Sequence, residues 1–355
     1  MQSSMCPVVR AVGRALPPNR VSQEAVTEAL RGLWASRRSN LGRLDELHKS
    51  VQVESRYLAL PLDQYPGLDS FEKRNQAWIR AAEEVAANAT MRALGEAGML
   101  PRDIDHVFFV SVTGIATPSI DARLANRLGF RADVKRTPIF GLGCVAGAAG
   151  LARAADYVRA YPHHNALLVS AELCSLTHQR EDLSIANIIA SGLFGDGGAA
   201  VIVGGASTLS DGPRVVATTS VLYRDTERVM GWDVVDGGFK IVLSSAVPAL
   251  VRARLPGDVD AFLAANGLVR GDIKHWVAHT GGPKVLSAME EALSLPSFAL
   301  DRSRASLAKI GNLSSASVLF VLGDLLGSGE ARTGDLGVLL AMGPGFCSEL
   351  VLLRW

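Results

Sequence analysis

The feature that most constrains this chain is an internal repeat. Gly98-Met-Leu-Pro-Arg-Asp103-Ile104-Asp-His106 returns as Gly267-Leu-Val-Arg-Gly-Asp272-Ile273-Lys-His275, and each copy runs into an apolar segment. Ile139-Phe-Gly-Leu142-Gly143-Cys144, with the small residues behind it, has a counterpart in Leu307-Ala-Lys-Ile310-Gly311-Asn312. Ala166-Leu-Leu-Val matches Gly337-Val-Leu-Leu340, and Ala200-Val-Ile-Val matches Leu350-Val-Leu-Leu353. The runs Val107 to Val112, Ala166 to Ser170 and Ala199 to Val203 lack polar alternation, which predicts buried parallel strands. The alanine-rich stretch Phe71 to Ala97 predicts a long helix. Strands alternating with helices give an α/β class. Two copies of one such unit bury their open faces against each other. We place the halves at residues 1–225 and 226–355.

The repeat also pairs two polar residues. A run ending in Gly141-Leu-Gly143 predicts a buried strand, a sharp turn and a helix beginning at or beside Cys144. A thiol at a helix start sits in the positive end of the dipole, which favours thiolate. Asn312 holds the equivalent position in the second half. His279, in Ala278-His-Thr-Gly-Gly-Pro283, follows the apolar strand that ends at Ala278 and points to the crevice beyond the strand ends. The expected chemistry follows. Cys144 is a soft nucleophile for thioesters, held as an ion pair by His279. Asn312 is no base, but its amide is a fixed donor. Two donors beside an acylated cysteine would stabilise an enolate, which suits decarboxylative carbon–carbon bond formation.

Composition narrows the rest. The chain has 355 residues, 48% hydrophobic and 20% charged, with a formal net charge of +1. Nothing in that balance calls for nucleic acid or an anionic membrane. The cysteines Cys6, Cys144, Cys174 and Cys347 show no metal spacing, and they read as reduced thiols of a cytoplasmic protein. His163-His164 reads as a solvated turn, and Asp196, between glycines, as a turn former. No apolar run reaches the length of a membrane span. The basic segment 21–60 carries Arg37, Arg38, Arg43 and Lys49.

The motifs Gly141-Leu-Gly-Cys-Val-Ala-Gly-Ala148, Leu193-Phe-Gly-Asp-Gly197, His279-Thr-Gly-Gly-Pro283, Gly311-Asn-Leu-Ser-Ser-Ala316 and Met342-Gly-Pro-Gly345 resemble the type III polyketide synthases, the chalcone synthase-like branch of the thiolase superfamily. The resemblance implies a five-layered αβαβα thiolase-like fold and a homodimer. It implies acyl-CoA and malonyl-CoA as substrates, with no cofactor beyond the thioesters themselves. Cys144 would carry the chain, while His279 and Asn312 would decarboxylate malonyl-CoA. Phe194 would be a gatekeeping aromatic, with Thr177, Cys174, Ile241 and Ser314 lining the pocket. Thr117 would reach into the partner's cavity, and Lys49 would contact CoA. Thr117 stands where chalcone synthase has methionine, and Ile241 where plant enzymes have phenylalanine. Both changes remove bulk, so a medium- or long-chain acyl starter and an alkylpyrone or alkylresorcinol product are expected. Val112 stands where naphthalene-forming members carry a cysteine. Met230-Gly-Trp-Asp-Val234 looks like the alkylpyrone-forming branch. The rivals are a ketoacyl synthase of fatty-acid initiation, a cysteine hydrolase and a non-catalytic scaffold.

Overall fold

The computed structural model describes residues 6–34, 41–205 and 211–355. Arg37 and Arg38 lie outside the described residues. The first half runs β1 (Val8–Ala15), β2 (Asn19–Ser22), α1 (Gln23–Leu33), α2 (Leu44–Ser50), β3 (Ser55–Leu58), α3 (Phe71–Ala97) and β4 (His106–Val110). It continues through α4 (Ile120–Leu128), β5 (Lys135–Ile139), α5 (Ala146–Ala160), β6 (Asn165–Leu173), α6 (Ile185–Leu193) and β7 (Asp196–Gly204). Then come β8 (Arg214–Leu222), β9 (Met230–Val235), β10 (Gly238–Leu243), α7 (Val247–Ala265) and β11 (Ile273–Ala278). The chain closes with α8 (Pro283–Leu293), α9 (Asp301–Ile310), α10 (Ser317–Ser328), β12 (Leu336–Gly343) and β13 (Cys347–Arg354).

The repeat is visible down to its hydrogen bonds. Gly98 ends α3 at φ +63°, and Gly267 follows α7 at φ +70°, angles that favour glycine. Asp103 Oδ2 then accepts from Leu100 N at 2.8 Å, and Asp272 Oδ2 accepts from Val269 N at 2.8 Å. Each capped turn launches a core strand, β4 or β11.

The strands join in the order β11-β12-β13-β8-β1-β7-β6-β4-β5. The two arms of the sheet meet where β1 and β8 pair at one position, Val8 with Arg214. Strand β8, inside the range 1–225, pairs along its length with β13. Three apolar clusters mark the layers. One packs α3 and α4 on the outer face of the first half. Another packs α7 and α8 on the outer face of the second. Between the halves, α5 and α10 share a third cluster built from Ala148, Leu151, Val318 and Leu322, among others. The order is helix, sheet, helix, sheet, helix. Among the described residues, no helix is long and apolar enough to cross a membrane.

Three expectations are corrected. Strand β4 is parallel to β6, but β7 runs antiparallel to both β6 and β1. An unbroken apolar run reports burial on both faces and carries no information on direction. Strand β5 is the edge of the sheet and largely exposed in the single chain. Its counterpart Leu307–Ile310 is the end of helix α9, so the described residues of the second half hold no strand equivalent to β5. Asn312 therefore follows a helix, although it still precedes the start of α10.

Candidate active site

Cys144 sits in one tight helical turn, Gly143–Val145, that leads into α5. Gly141 and Gly143 hold φ +96° and +53°, and a Cβ on Gly143 would lie 2.7 Å from the Pro344 ring. Gly147 allows an equally close approach, since a Cβ there would lie 2.1 Å from Ser315 O. The small residues of α5 thus let the second half settle against the cysteine turn. Across that contact, Cys144 Sγ lies 3.7 Å from Ser314 Oγ.

His279 directly follows β11, and its backbone N donates to Leu340 O at 2.9 Å. Asn312 is fixed from both sides. Its N donates to Leu193 O at 2.9 Å, and its O accepts from Gly195 N at 3.0 Å. Asn312 and Phe194 thereby form a short parallel bridge between the halves. The amide of Asn312 can be oriented from its partners. Ser314 N, which can only donate, reaches Oδ1 at 2.8 Å, and Ser317 Oγ reaches the same oxygen at 3.2 Å. The opposite end, Nδ2, is left as the donor. All three side chains are buried, at 8% exposure for Cys144, 3% for His279 and 2% for Asn312.

Together they line one apolar chamber with Val112, Phe194, Ser314 and Met342. Burial opposes charge at both titrating groups. It pushes the Cys144 thiol up to about 12 and the His279 imidazole down to about 4. Among the described residues, neither ring nitrogen of His279 has a hydrogen-bond partner. Burial thus acts against the thiolate–imidazolium ion pair expected from the sequence. The helix start and the Ser314 hydroxyl favour the thiolate, but desolvation outweighs them.

A second, larger cavity of about 160 Å³ adjoins the first. It is lined by Leu30 and Leu33 of α1, Leu58, Leu62 and Leu68, Thr177, and Ala190 of α6. Cys174, Phe194, Trp232 and Ile241 line both cavities. Trp232 and Ile241 face each other across the β9–β10 pairing, so one cross-strand pair forms much of the partition. The guanidinium of Arg56, beside the far cavity, is tied to backbone. Arg56, 1% exposed, donates to the carbonyls of Ser191 and Phe194 at 2.8 and 2.7 Å.

Thr117 and Lys49 stand apart from both cavities. Thr117 is exposed on the loop after β4 and lines neither cavity of its own chain. Lys49 lies on an open groove with Glu24, Glu28, Asp45 and Glu54, whose carboxylates act against a phosphate at that spot.

Two acids emerge that the sequence did not assign. Glu172, fully buried on β6, accepts from Ser111 Oγ, Val112 N and Thr113 Oγ1 at 3.1, 3.1 and 2.8 Å, and from Ser315 Oγ. It ties the loop after β4 to the segment that carries Asn312 and Ser314. Its signal was a lone carboxylate inside an apolar strand. Asp196 is no turn former. It opens β7 fully buried, accepting from Ala59 N at 2.6 Å and Ser175 N at 2.8 Å.

Known proteins match this arrangement along the whole chain. The family model for the N-terminal domain of chalcone and stilbene synthases matches residues 2–207, and that for the C-terminal domain matches 214–355. A 1,3,6,8-tetrahydroxynaphthalene synthase of Streptomyces peucetius subsp. caesius is 51% identical over 350 residues, covering 98% of this chain and 93% of the relative. A putative chalcone synthase of Bacillus subtilis (strain 168) is 40% identical, covering 98% of each. The crystal structure of 1,3,6,8-tetrahydroxynaphthalene synthase from Streptomyces coelicolor A3(2), a bacterial type III polyketide synthase, superposes with a TM-score of 0.93 at 33% identity. It covers 98% of this chain and 99% of that one. With a thiol, an imidazole and an amide gathered between two fused α/β halves, the chain belongs to the chalcone and stilbene synthase family, the type III polyketide synthases.

Proposed function

We propose that this synthase loads an aliphatic acyl-CoA starter onto Cys144, extends it with malonyl units and releases an alkylpyrone or alkylresorcinol. Cys144 takes the acyl group and CoA leaves as the thiol. Malonyl-CoA then loses CO₂, and the electron pair left behind becomes an enolate whose oxygen accepts hydrogen bonds from His279 and Asn312 Nδ2. The enolate carbon attacks the Cys144 thioester, and the new chain is passed back for the next round. No cofactor takes part beyond the thioesters, and the working form is a homodimer in which Thr117 faces the partner's cavity.

The observation that carries this reading is the far cavity beside the Trp232–Ile241 pair, to which Leu30, Leu33, Leu58, Leu62, Leu68 and Ala190 contribute aliphatic side chains. An alkyl tail there gains about 0.8 kcal/mol per buried methylene, so four methylenes improve binding roughly two hundredfold. A second reading, a naphthalene product made from malonyl-CoA alone, draws on the name of the 51% identical relative. Val112 in the catalytic chamber weighs against it. Mass spectrometry of products from malonyl-CoA alone, and from malonyl-CoA with a ladder of acyl-CoA starters, decides between them. Decanoyl- and lauroyl-primed products are expected to dominate. Ala190→Phe, which fills the far cavity, and Thr117→Trp should both shorten the preferred starter. A naphthalene product that dominates despite the starters sinks the first reading.

A further inference from the structure

The partition between the two cavities stands on a hairpin that, among the described residues, pairs only with itself. Strands β9 and β10 form their own two-stranded sheet, separate from the main one. Such a hairpin is marginal without outside support. Phe239 gives some, meeting Phe71 edge-on with ring centroids 5.4 Å apart. The tip is held by side chains from outside the hairpin. Gln179 Nε2 lies 3.0 Å from Gly237 O and 3.0 Å from Phe239 O, and Arg74 also donates to Gly237 O. The contact is fitted closely, since a Cβ on Gly237 would lie 2.7 Å from Gln179 Oε1. Gln179 itself lines neither cavity.

We propose that Gln179 is a specificity-determining positioning residue. By latching the tip of the β9–β10 hairpin, it holds the Trp232–Ile241 pair as the wall that a starter's alkyl tail must pass and then lean on. The latch rests on the reading that the far cavity takes that tail. A short starter ends before the partition and is indifferent to it. A longer one contacts the pair, so its binding depends on where the hairpin stands.

The test uses the full-length enzyme with Gln179→Glu and Gln179→Met. Both keep the side chain's length and lose the donor, and Glu sets a carboxylate against two carbonyls. Amide hydrogen exchange over residues 230–243 should quicken at least tenfold in both variants. With acetyl-CoA as starter, kcat and KM should stay within twofold of wild type. With decanoyl-CoA, KM should rise at least fivefold while kcat holds. Unchanged exchange overturns the latch. Equal losses with acetyl- and decanoyl-CoA overturn the specificity role, because they mark a fold defect. If wild type turns over no starter longer than acetyl, the starter reading fails instead. The latch is then judged on exchange alone, where a quickened hairpin supports it and an unchanged one overturns it.

Discussion

Ser314 Oγ stands 3.7 Å from Cys144 Sγ, and Ser314 reaches that place with its backbone at φ +49°. A serine in the left-handed region costs on the order of 1 kcal/mol or more, and such strain gathers at working sites. Of the contacts on the thiol, this hydroxyl acts most strongly toward the thiolate. Ser314→Ala should therefore slow alkylation of Cys144 by iodoacetamide at pH 8. Ser314→Gly should relieve the backbone, raising the melting temperature, yet slow alkylation equally. Alkylation as fast as wild type in both would show that the hydroxyl leaves the thiol untouched.

The two donors should separate by step. Asn312→Ala is expected to cut malonyl-CoA decarboxylation by roughly a hundredfold while leaving acyl loading on Cys144 intact. His279→Ala should impair both steps, because it also removes the base that accepts the thiol's proton. Quenched-flow loading of a radiolabelled acyl-CoA, set beside CO₂ release, checks this. Equal loss of loading in the two variants would falsify the division.

Stability should fall on mild acidification. Burial drives His48, His178 and His279 each down to about 4. Their neutral forms are thus favoured by the fold. That contribution is full above the unfolded value near 6.5 and is lost as pH falls toward 4. At pH 5 the loss is about 2 kcal/mol for each. Asp196, pushed up to about 6 by burial, and Glu172, raised likewise, work the other way over the same range. The histidines outweigh them. Thermal melts at pH 7.5, 6 and 5 should show a steady drop, which His48→Gln should lessen. A melting temperature that holds level to pH 5 would contradict the balance.

Gly147→Ala tests the contact between the halves. Its new methyl would meet Ser315 O at 2.1 Å, so α5 and the Ser314–Ala316 turn must part. Overpacking of this kind costs about 1–3 kcal/mol. Turnover should fall further than stability, since the same shift draws Cys144 away from Ser314. Gly95→Ala, with open space around it inside α3, should leave turnover alone and stabilise by about 0.5–1 kcal/mol. Denaturant titration and kcat, measured side by side on both variants, supply the comparison.

Cys144, His279 and Asn312 were legible because their neighbours are constrained. Gly141 and Gly143 take backbone angles that mark a turn, and the Asp103 and Asp272 turns repeat openly enough to align the halves. What escaped depends on long-range pairing. The direction of β7 is decided by its neighbours β1 and β6, and its own apolar residues are silent on it. Leu307–Ile310 looked like the strand before Cys144, but its first turns, Asp301 to Ser306, make it a helix. The ionisation of Cys144 also misled. A helix start is visible in sequence, whereas the desolvation that overrides it arises only when the second half closes over the thiol.

The seam between the halves is also a safeguard. Cys144 belongs to the N-terminal copy and His279 and Asn312 to the C-terminal one, and the two arms of the sheet join at Val8 and Arg214. A chain with only one half formed has either a thiol without donors or donors without a thiol. On the proposed mechanism, such a chain has an incomplete site. The internal repeat thus divides one constellation between two halves, and only the finished core gathers its parts around one chamber.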